Sequence, residues 1–299
     1  MLPGAAVLSS AQVRSAGARV AIGPGTSRGN VPNLPGIIYG GPVVVTATAG
    51  DTGPTIYATL KAAFDAINAG THQGAINVAI VGDTTETVPA VLNASVLPAS
   101  YGSILIQPSG GAARTISGAI AAGNPLIDLN GATNVMIDGL NSAGNSLTLS
   151  NSTVATTNGT STVRFINGAQ SNTITRCTVL GSANAAVPLA SGSILFSNTT
   201  TGIANNNNMI SFCNIGPAGT NLPTKGVTSV GQAGISNTGN HIENNNIFDF
   251  FSPTLGGSGI GVQGNNNSIS NLQIGSGLSY QLQVIGTSAP ISVQQYGRK

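Results

Sequence analysis

One pattern of apolar residues and asparagines returns five times between residues 124 and 275. In four copies the first run ends in asparagine, and in the last copy it ends in glycine, at position 264. These asparagines are Asn130, Asn167, Asn198 and Asn237. A second run follows, and it begins with asparagine at positions 172, 208, 240 and 267; the first copy fits less well, with Val135 in the place of Ile174. The spacing between copies varies while the local motif is constant, which indicates short strands joined by loops of variable length.

Short alternating strands bury only one face, and a single turn of them encloses no core. Stacked turns share one continuous core, so the repeat predicts a solenoid. Asparagine suits the bends because it tolerates left-handed backbone angles and bonds to neighbouring backbone groups. Amides stacked about 4.8 Å apart can also bond to each other in ladders. An antiparallel sandwich is the alternative, but it gives no reason to repeat asparagine at matching offsets.

The repeat resembles the right-handed parallel β-helix of the pectate-lyase-like superfamily, in particular the Asn-rich repeat proteins of bacterial surfaces. The resemblance covers residues 43 to 275 and implies an all-β fold. It specifies function poorly, because this fold hosts lyases, hydrolases, adhesins and phage tailspikes. The Gly-His-Gly and Asn-Thr-Asp motifs of the pectin-degrading hydrolases are absent from the sequence, which argues against transferring that activity.

The chain divides into three predicted regions. Residues 1–41 are rich in Gly, Pro, Ser and Ala and are expected to form an extended arm, either disordered or docked on a neighbouring subunit. Residues 42–275 form the β-helix, and an amphipathic helix near residues 59–69 closes its open end. Thr59 is a good N-cap for this helix, and Gly70 is a C-terminal stop. Residues 276–299 are expected to be a strand-like tail or cap.

Composition excludes several classes of protein. Charged residues are only 6% of the chain, whereas a quarter is usual. A hydrophobic content of 40% and a net charge of +2 argue against disorder. The ten Lys and Arg form no cluster, so no nucleic-acid partner is expected. No apolar stretch approaches the ~18 residues of a membrane span. Low charge with abundant Ser, Thr and Asn indicates a secreted or cell-surface protein.

The two cysteines, Cys177 and Cys213, fall at the same repeat position in consecutive turns. Stacking would place them about 4.8 Å apart, within disulfide range by Cα distance. Parallel side chains would keep the Cβ atoms slightly too far apart, so two free thiols are favoured over a bridge. No second cysteine pair or histidine cluster accompanies them, and neither a metal nor a cofactor is expected.

A polysaccharide lyase or glycoside hydrolase on this fold needs clustered carboxylates. The chain has eight Asp and Glu. The repeat alignment sets Asp128 beside Arg164 and Asp138 beside Arg176, one turn apart. Ion pairs between adjacent strands are the favoured interpretation. A catalytic groove lined by these four residues is the weaker alternative.

Three aromatic residues, Phe248, Phe250 and Phe251, follow the fourth turn and could stack on sugars, although such clusters more often fill a core. The scarcity of titratable groups predicts a structural or adhesive protein rather than an enzyme. Its expected partners are copies of itself, joined into a filament or surface layer through the terminal segments. The alternative is a carbohydrate-active enzyme or a sugar-binding module that takes polysaccharide or a cell surface as partner.

Overall fold

The structure, a computed structural model, describes residues 40–186, 189–198, 202–232, 235–251, 257–263, 269–270 and 282–285. These residues contain one short helix and many short strands. In chain order the elements are β1 (Val43–Gly50), β2 (Thr55–Tyr57), α1 (Leu60–Asn68), β3 (His72–Ile80), β4 (Thr84–Glu86), β5 (Ala90–Asn93), β6 (Tyr101–Pro108), β7 (Ala113–Gly118), β8 (Pro125–Asn130), β9 (Val135–Asp138), β10 (Ser146–Asn151), β11 (Ser161–Ile166), β12 (Thr173–Thr175), β13 (Thr178–Gly181), β14 (Gly192–Phe196), β15 (Met209–Ser211), β16 (Asn214–Pro217), β17 (Lys225–Val230), β18 (Asn240–Glu243), β19 (Asn246–Ile247), β20 (Ser258–Gln263), β21 (Ile269–Ser270) and β22 (Leu282–Ile285).

The described strands form three sheets. Sheet A has the order β2-β1-β3-β6-β9-β12-β15-β18-β21, sheet B β4-β7-β10-β13-β16-β19, and sheet C β5-β8-β11-β14-β17-β20-β22. Strand β1 is antiparallel to both of its neighbours, and the other described pairs are parallel and join successive turns. The predicted parallel β-solenoid is therefore confirmed, with about five turns. Turns 1 to 5 begin with β8, β11, β14, β17 and β20.

The core consists of apolar side chains that stack in columns, one column for each sheet. The columns are Ile106, Ile137, Ile174, Ile210 and Ile242 in sheet A; Ile116, Leu149, Val179, Ile215 and Ile247 in sheet B; and Ile127, Val163, Ile194, Val227 and Ile260 in sheet C. These side chains are almost fully buried. Phe165 and Phe196 add a stacked ring pair with centroids 4.6 Å apart. Each column spans several turns, so burial depends on stacking, as expected for a repeat protein.

The strand register confirms part of the predicted alignment. In sheet A, Ile174, Ile210 and Ile242 are paired in turns 2 to 4, as the repeat predicted. In turn 1, however, Ile137 rather than Val135 pairs with Ile174. The shift is two residues, and it keeps the same face of the strand inward because side chains alternate with a period of two.

The run predicted to end at Asn237 does not supply the sheet C strand of turn 4. Strand β17 takes that place, since Val227 pairs with Ile194 on one side and Ile260 on the other. The sequence of β17 carries little apolar signal, although Thr228 and Ser229 are fully buried. Neighbouring turns bury its polar side chains. A search for alternating apolar residues does not find such a strand, because some of its buried positions are polar.

Helix α1 lies at the N-terminal end of the solenoid and has the predicted caps. The Thr59 hydroxyl accepts a hydrogen bond from the Ala62 N–H at 3.1 Å. Leu60, Ala63, Phe64 and Ile67 form its buried face, which joins the common core. Gly70 follows the helix with φ +76, the left-handed conformation typical of a C-terminal stop.

Side chains also cover the strand edges at this end. The Asn68 amide donates to the Val91 carbonyl at 2.8 Å and accepts from the Asn93 N–H at 2.9 Å. It therefore bonds to β5, the first strand of sheet C, much as a neighbouring strand would. The antiparallel hairpin of β1 and β2 ends sheet A. At the N-terminal end, Asn68 thus bonds to the edge of β5, and β1 with β2 covers the edge of β3.

The two predicted terminal regions are only partly described. The arm predicted at residues 1–41 lies outside the described residues except for positions 40 and 41. In the tail predicted at residues 276–299, β22 continues sheet C, because Leu282 pairs with Ile260 and Val284 with Val262.

Candidate functional site

A buried ladder of asparagines, Asn172, Asn208 and Asn240, runs along the corner before sheet A. The Asn208 Oδ1 accepts from the Asn172 N–H at 3.1 Å and from its Nδ2 at 3.0 Å. The Asn240 Oδ1 repeats both bonds with Asn208 at 3.0 Å. The Nδ2 groups of Asn172 and Asn208 also donate to the carbonyls of Ala132 and Ala169 at 2.9 Å. Each amide thus links its turn to its neighbours and satisfies backbone groups that would otherwise be buried without a partner.

A second buried ladder, Asn205 and Asn237, follows the ends of the sheet C strands. The Asn237 Oδ1 accepts from the Asn205 N–H at 3.0 Å and from its Nδ2 at 3.2 Å. The Nδ2 groups of Asn205 and Asn237 donate to the carbonyls of Ser197 at 2.7 Å and Val230 at 3.0 Å. In both ladders the side-chain oxygen accepts from the backbone N–H and the side-chain amide of the asparagine one turn earlier. The two corners of the solenoid therefore have the same hydrogen-bond pattern.

The single ladder predicted at Asn130, Asn167, Asn198 and Asn237 is corrected by this arrangement. Asn130 and Asn167 do stack, with Nδ2 to Oδ1 at 2.7 Å. Asn198 is exposed, while Asn237 lies in the other ladder with Asn205. The mistaken alignment of turn 4 explains the position of Asn237, because that residue lies in the connection that follows β17 and not at the end of a sheet C strand.

Cys177 and Cys213 lie in consecutive turns as predicted, and both are free and buried. Their Sγ atoms donate to the carbonyls of Thr175 and Ser211, each at 3.2 Å. A hydrogen bond with Cys213 and complete burial raise the pKa of the Cys177 thiol. Asn245 occupies the same position in the next turn, where its Oδ1 accepts from the Cys213 N–H at 2.9 Å. The cysteines therefore belong to a stacked structural position.

The predicted ion pairs are present and bidentate. Arg164 bonds to Asp128 through Nε at 2.9 Å and Nη2 at 2.6 Å. Arg176 bonds to Asp138 through Nε at 2.9 Å and Nη2 at 2.5 Å. The hydrogen bond to Asp138 raises the pKa of Arg176. Both carboxylates are only 5% exposed, and Asp138 also accepts from the Leu140 N–H at 2.9 Å.

The two ion pairs do not form one groove. Asp128 belongs to a strand of sheet C, whereas Asp138 ends a strand of sheet A. Every oxygen of both carboxylates accepts from an arginine nitrogen. Within the described part of the chain, no three His, Cys, Asp or Glu side chains are grouped so that they could hold a metal ion.

The three phenylalanines that follow turn 4 have different environments. Phe250 is 7% exposed and belongs to the core, where its ring lies over Gly259. The Phe248 ring fills the space above Gly216, at 2.5 Å from where a Cβ would stand. Phe251 alone is exposed, at 58%. Phe248 and Phe250 are therefore packing residues, and only Phe251 could present a ring to a ligand.

Two buried charged residues, Glu86 and Lys225, bond to backbone groups in a way that was not predicted from the sequence. Glu86 accepts from the first two N–H groups of α1, at 2.8 Å from Leu60 and 3.1 Å from Lys61. Lys225 is fully buried at the start of β17, and its Nζ donates to three backbone carbonyls. Neither residue lies in a motif, and the contacts join segments that are 25 to 40 residues apart. Sequence patterns carry no signal for such pairings.

Comparison with known proteins gives no relative: no family model, curated protein or solved structure matches this chain. Among the described helical residues, none forms a helix long and apolar enough to cross a membrane.

Proposed function

We propose that this chain is a structural or adhesive extracellular β-solenoid that is not an enzyme and that assembles with copies of itself through its terminal segments. The observation that carries the proposal is the bonding of Asp128 and Asp138, whose carboxylate oxygens are all engaged by arginines. Glycoside hydrolysis needs a carboxyl group that is free to donate or accept a proton. Buried, bidentate carboxylates support a role in joining adjacent turns.

The ladders support the same proposal. Asn172, Asn208 and Asn240 are buried, and their amides are consumed by contacts between turns. Such side chains stabilise the stacking and offer nothing to a substrate. The buried asparagine side chains therefore hold successive turns in register.

Assembly through the termini is supported by charge and by the closed N-terminal end. Direct stacking on sheet C is disfavoured there, because Asn68 already bonds to β5. Residues 1–39 and 286–299 contain half of the ten basic residues and none of the acidic ones: Arg14, Arg19, Arg28, Arg298 and Lys299. Segments with this charge suit contact with a neighbouring molecule whose acidic groups lie in the solenoid.

Deletion of residues 1–39 tests the assembly. Pro42 must be kept, because its carbonyl accepts from the Val81 N–H at 2.8 Å. We expect the full chain to form fibres or layers in electron microscopy, and the shortened chain to stay folded by circular dichroism but monomeric by analytical ultracentrifugation. The proposal fails if the shortened chain forms the same assemblies, or if the full chain is monomeric at all concentrations.

A sugar-binding module is the second candidate, and the exposed ring of Phe251 favours it. Binding to a glycan array that is lost in Phe251→Ala and kept in Phe248→Ala would support it. Hydrolysis or elimination of any polysaccharide that is lost in Asp138→Asn would instead establish an enzyme and refute the structural proposal.

A further inference from the structure

The outer face of sheet B carries hydroxyl groups in two columns that cross the strands. Strands β7 and β10 pair without a register shift, so Thr115 lies beside Thr148 and Ser117 beside Ser150. The first column continues to Thr178 of β13, and the second begins at Thr85 of β4. These residues, which we call the hydroxyl face, are Thr85, Thr115, Ser117, Thr148, Ser150 and Thr178.

The hydroxyl face is open to solvent. Its residues alternate along the strands with the buried core column of sheet B, and each is exposed or half-buried. The hydroxyls of Thr85 and Ser117 lie 3.4 Å apart. The other hydroxyls of the face make no hydrogen bond with any protein atom of the described residues. Their donors and acceptors are therefore available to a ligand.

The hydroxyl face has neither charge nor aromatic rings. The outward positions of β7, β10 and β13 are occupied by Ala, Ser, Thr and Leu. Asp83 lies at the edge of the first column, where its Oδ1 accepts from the Thr115 N–H at 2.8 Å. An ionic ligand finds no array of countercharges here, and a sugar ring finds no aromatic side chain on which to stack. The face therefore suits a neutral ligand that is itself flat and periodic.

The spacing across the strands is close to that of oxygen atoms in ice. Neighbouring strands lie about 4.8 Å apart, which sets the separation of the side chains within each column. In ice, each oxygen has tetrahedral neighbours at about 2.75 Å, so oxygens that share a neighbour are about 4.5 Å apart. Each column has only two such steps, and the mismatch from end to end is about 0.6 Å.

The match along the strands is looser but involves only two columns. Two residues span about 6.6 Å, whereas the stacking repeat of the ice lattice is eight-thirds of the hydrogen-bond length, about 7.3 Å. A change of χ1 between staggered rotamers moves a hydroxyl oxygen by about 2 Å, which is enough to absorb the difference. Stacking and side-chain ladders are the features that keep a sheet flat, and this solenoid has both.

Sheet A shows that a regular outer face does not follow from the solenoid itself. Its outward positions Met136, Thr173, Met209 and His241 are also in register from turn to turn. They differ in size and chemistry, and Met136 and Met209 are exposed. The repetition of hydroxyl groups is therefore a property of sheet B.

We propose that the hydroxyl face is an ice-binding site, whose ligand is the ordered water at an ice surface. The hydroxyls take the places of lattice oxygens, donating to and accepting from the water molecules beside them. Both surfaces are neutral, so contact does not require a charge to lose its hydration. The site lies away from the terminal segments and does not depend on the assembly of the chain.

Ice affinity and thermal hysteresis of the purified full chain test the proposal. We expect the wild type to enter slowly grown ice and to separate the freezing point from the melting point. Thr148→Tyr should lose both properties, because a ring that projects from the middle of the face keeps the other hydroxyls from the ice. Thr173→Tyr is the matched control, since it makes the same change on the outer face of sheet A, and it should keep both.

A wild-type protein that is excluded from ice and shows no thermal hysteresis would overturn the proposal. Full activity of a folded Thr148→Tyr, or an equal loss in Thr173→Tyr, would show that ice does not bind at this face. Retention of the wild type on crystalline cellulose but not in ice would assign the face to a polysaccharide instead and refute ice binding. If circular dichroism shows that Thr148→Tyr does not fold, Ser150→Tyr in the second column takes its place.

Discussion

Replacement of Asn208 by aspartate tests the buried ladder with almost no change in shape. The carboxylate cannot donate, so the bonds from Nδ2 to the Ala169 carbonyl and the Asn240 Oδ1 are lost. Each lost bond costs about 1 kcal/mol, and the Ala169 carbonyl left buried costs a further ~1–3 kcal/mol, whereas the Asn240 Oδ1 still accepts from the backbone N–H at position 208; the total is roughly 3–5 kcal/mol. A typical domain has only about 5–15 kcal/mol of stability, so the variant should be severely destabilised.

The matched control is Asn246→Asp. Asn246 is exposed, and its Nδ2 bonds to the Asn214 Oδ1 at 3.4 Å in a ladder on the surface of sheet B. We expect this change to cost less than about 0.5 kcal/mol. Urea unfolding at pH 7, followed by circular dichroism, measures both variants against the wild type, with the midpoint compared at constant slope. Equal midpoints for the two variants would refute the role assigned to the buried ladder.

The free energy of unfolding of Asn208→Asp should also depend on pH, in a direction that can be predicted. Burial raises the pKa of the new carboxyl at position 208 in the folded state, relative to its unfolded value. Its folded-state protonation therefore contributes stability below about pH 4, and this contribution is lost as the pH rises through the folded pKa. The gap between Asn208→Asp and the wild type should be smaller at pH 4 than at pH 7, and a gap that widens on acidification would contradict the reasoning.

Three further substitutions test the cap of α1 and the packing of the phenylalanines that follow turn 4. Glu86→Ala should lower the free energy of unfolding by about 2–4 kcal/mol, because two N–H groups of α1 lose their acceptor; a urea midpoint within error of the wild type would rule out this cap. Phe250→Ala should cost about 3–5 kcal/mol and Phe251→Ala less than about 0.5 kcal/mol, because only Phe250 is buried. Thermal unfolding separates these two, and equal losses would contradict the assignment of Phe250 to the core.

The fold was predictable because its signal is periodic. Asparagine and isoleucine recur at Asn172 and Ile174 and again one turn later, and the strands stack in that register. The ion pairs were predictable for the same reason, since an alignment of turns is also a map of neighbours. Arg164 and Asp128 became neighbours as soon as the first strands were aligned.

The rest depended on contacts that do not repeat. Strand β17 contains Gly226, Thr228 and Ser229, which read as a loop, and only burial by adjacent turns makes it a strand. The roles of Glu86 and Lys225 depend on backbone groups that come close only after the chain has wound. Hydrophobic pattern cannot report a partner of this kind, because the partner is a carbonyl or an N–H that every residue possesses.

The covered N-terminal end has a consequence for the order in which the protein is made. The ladder bonds join residues 32 to 40 positions apart, so each turn needs only the turn before it as a template. The chain leaves the ribosome from its N-terminus, so β3 and β5, whose N-terminal edges are bonded by the β1–β2 hairpin and by Asn68, are made before the turns that stack on them. Growth from that end can follow synthesis one turn at a time, with one edge of each sheet available to the next strand. We expect winding in this order to give each new turn a template within its own chain rather than on a neighbouring copy.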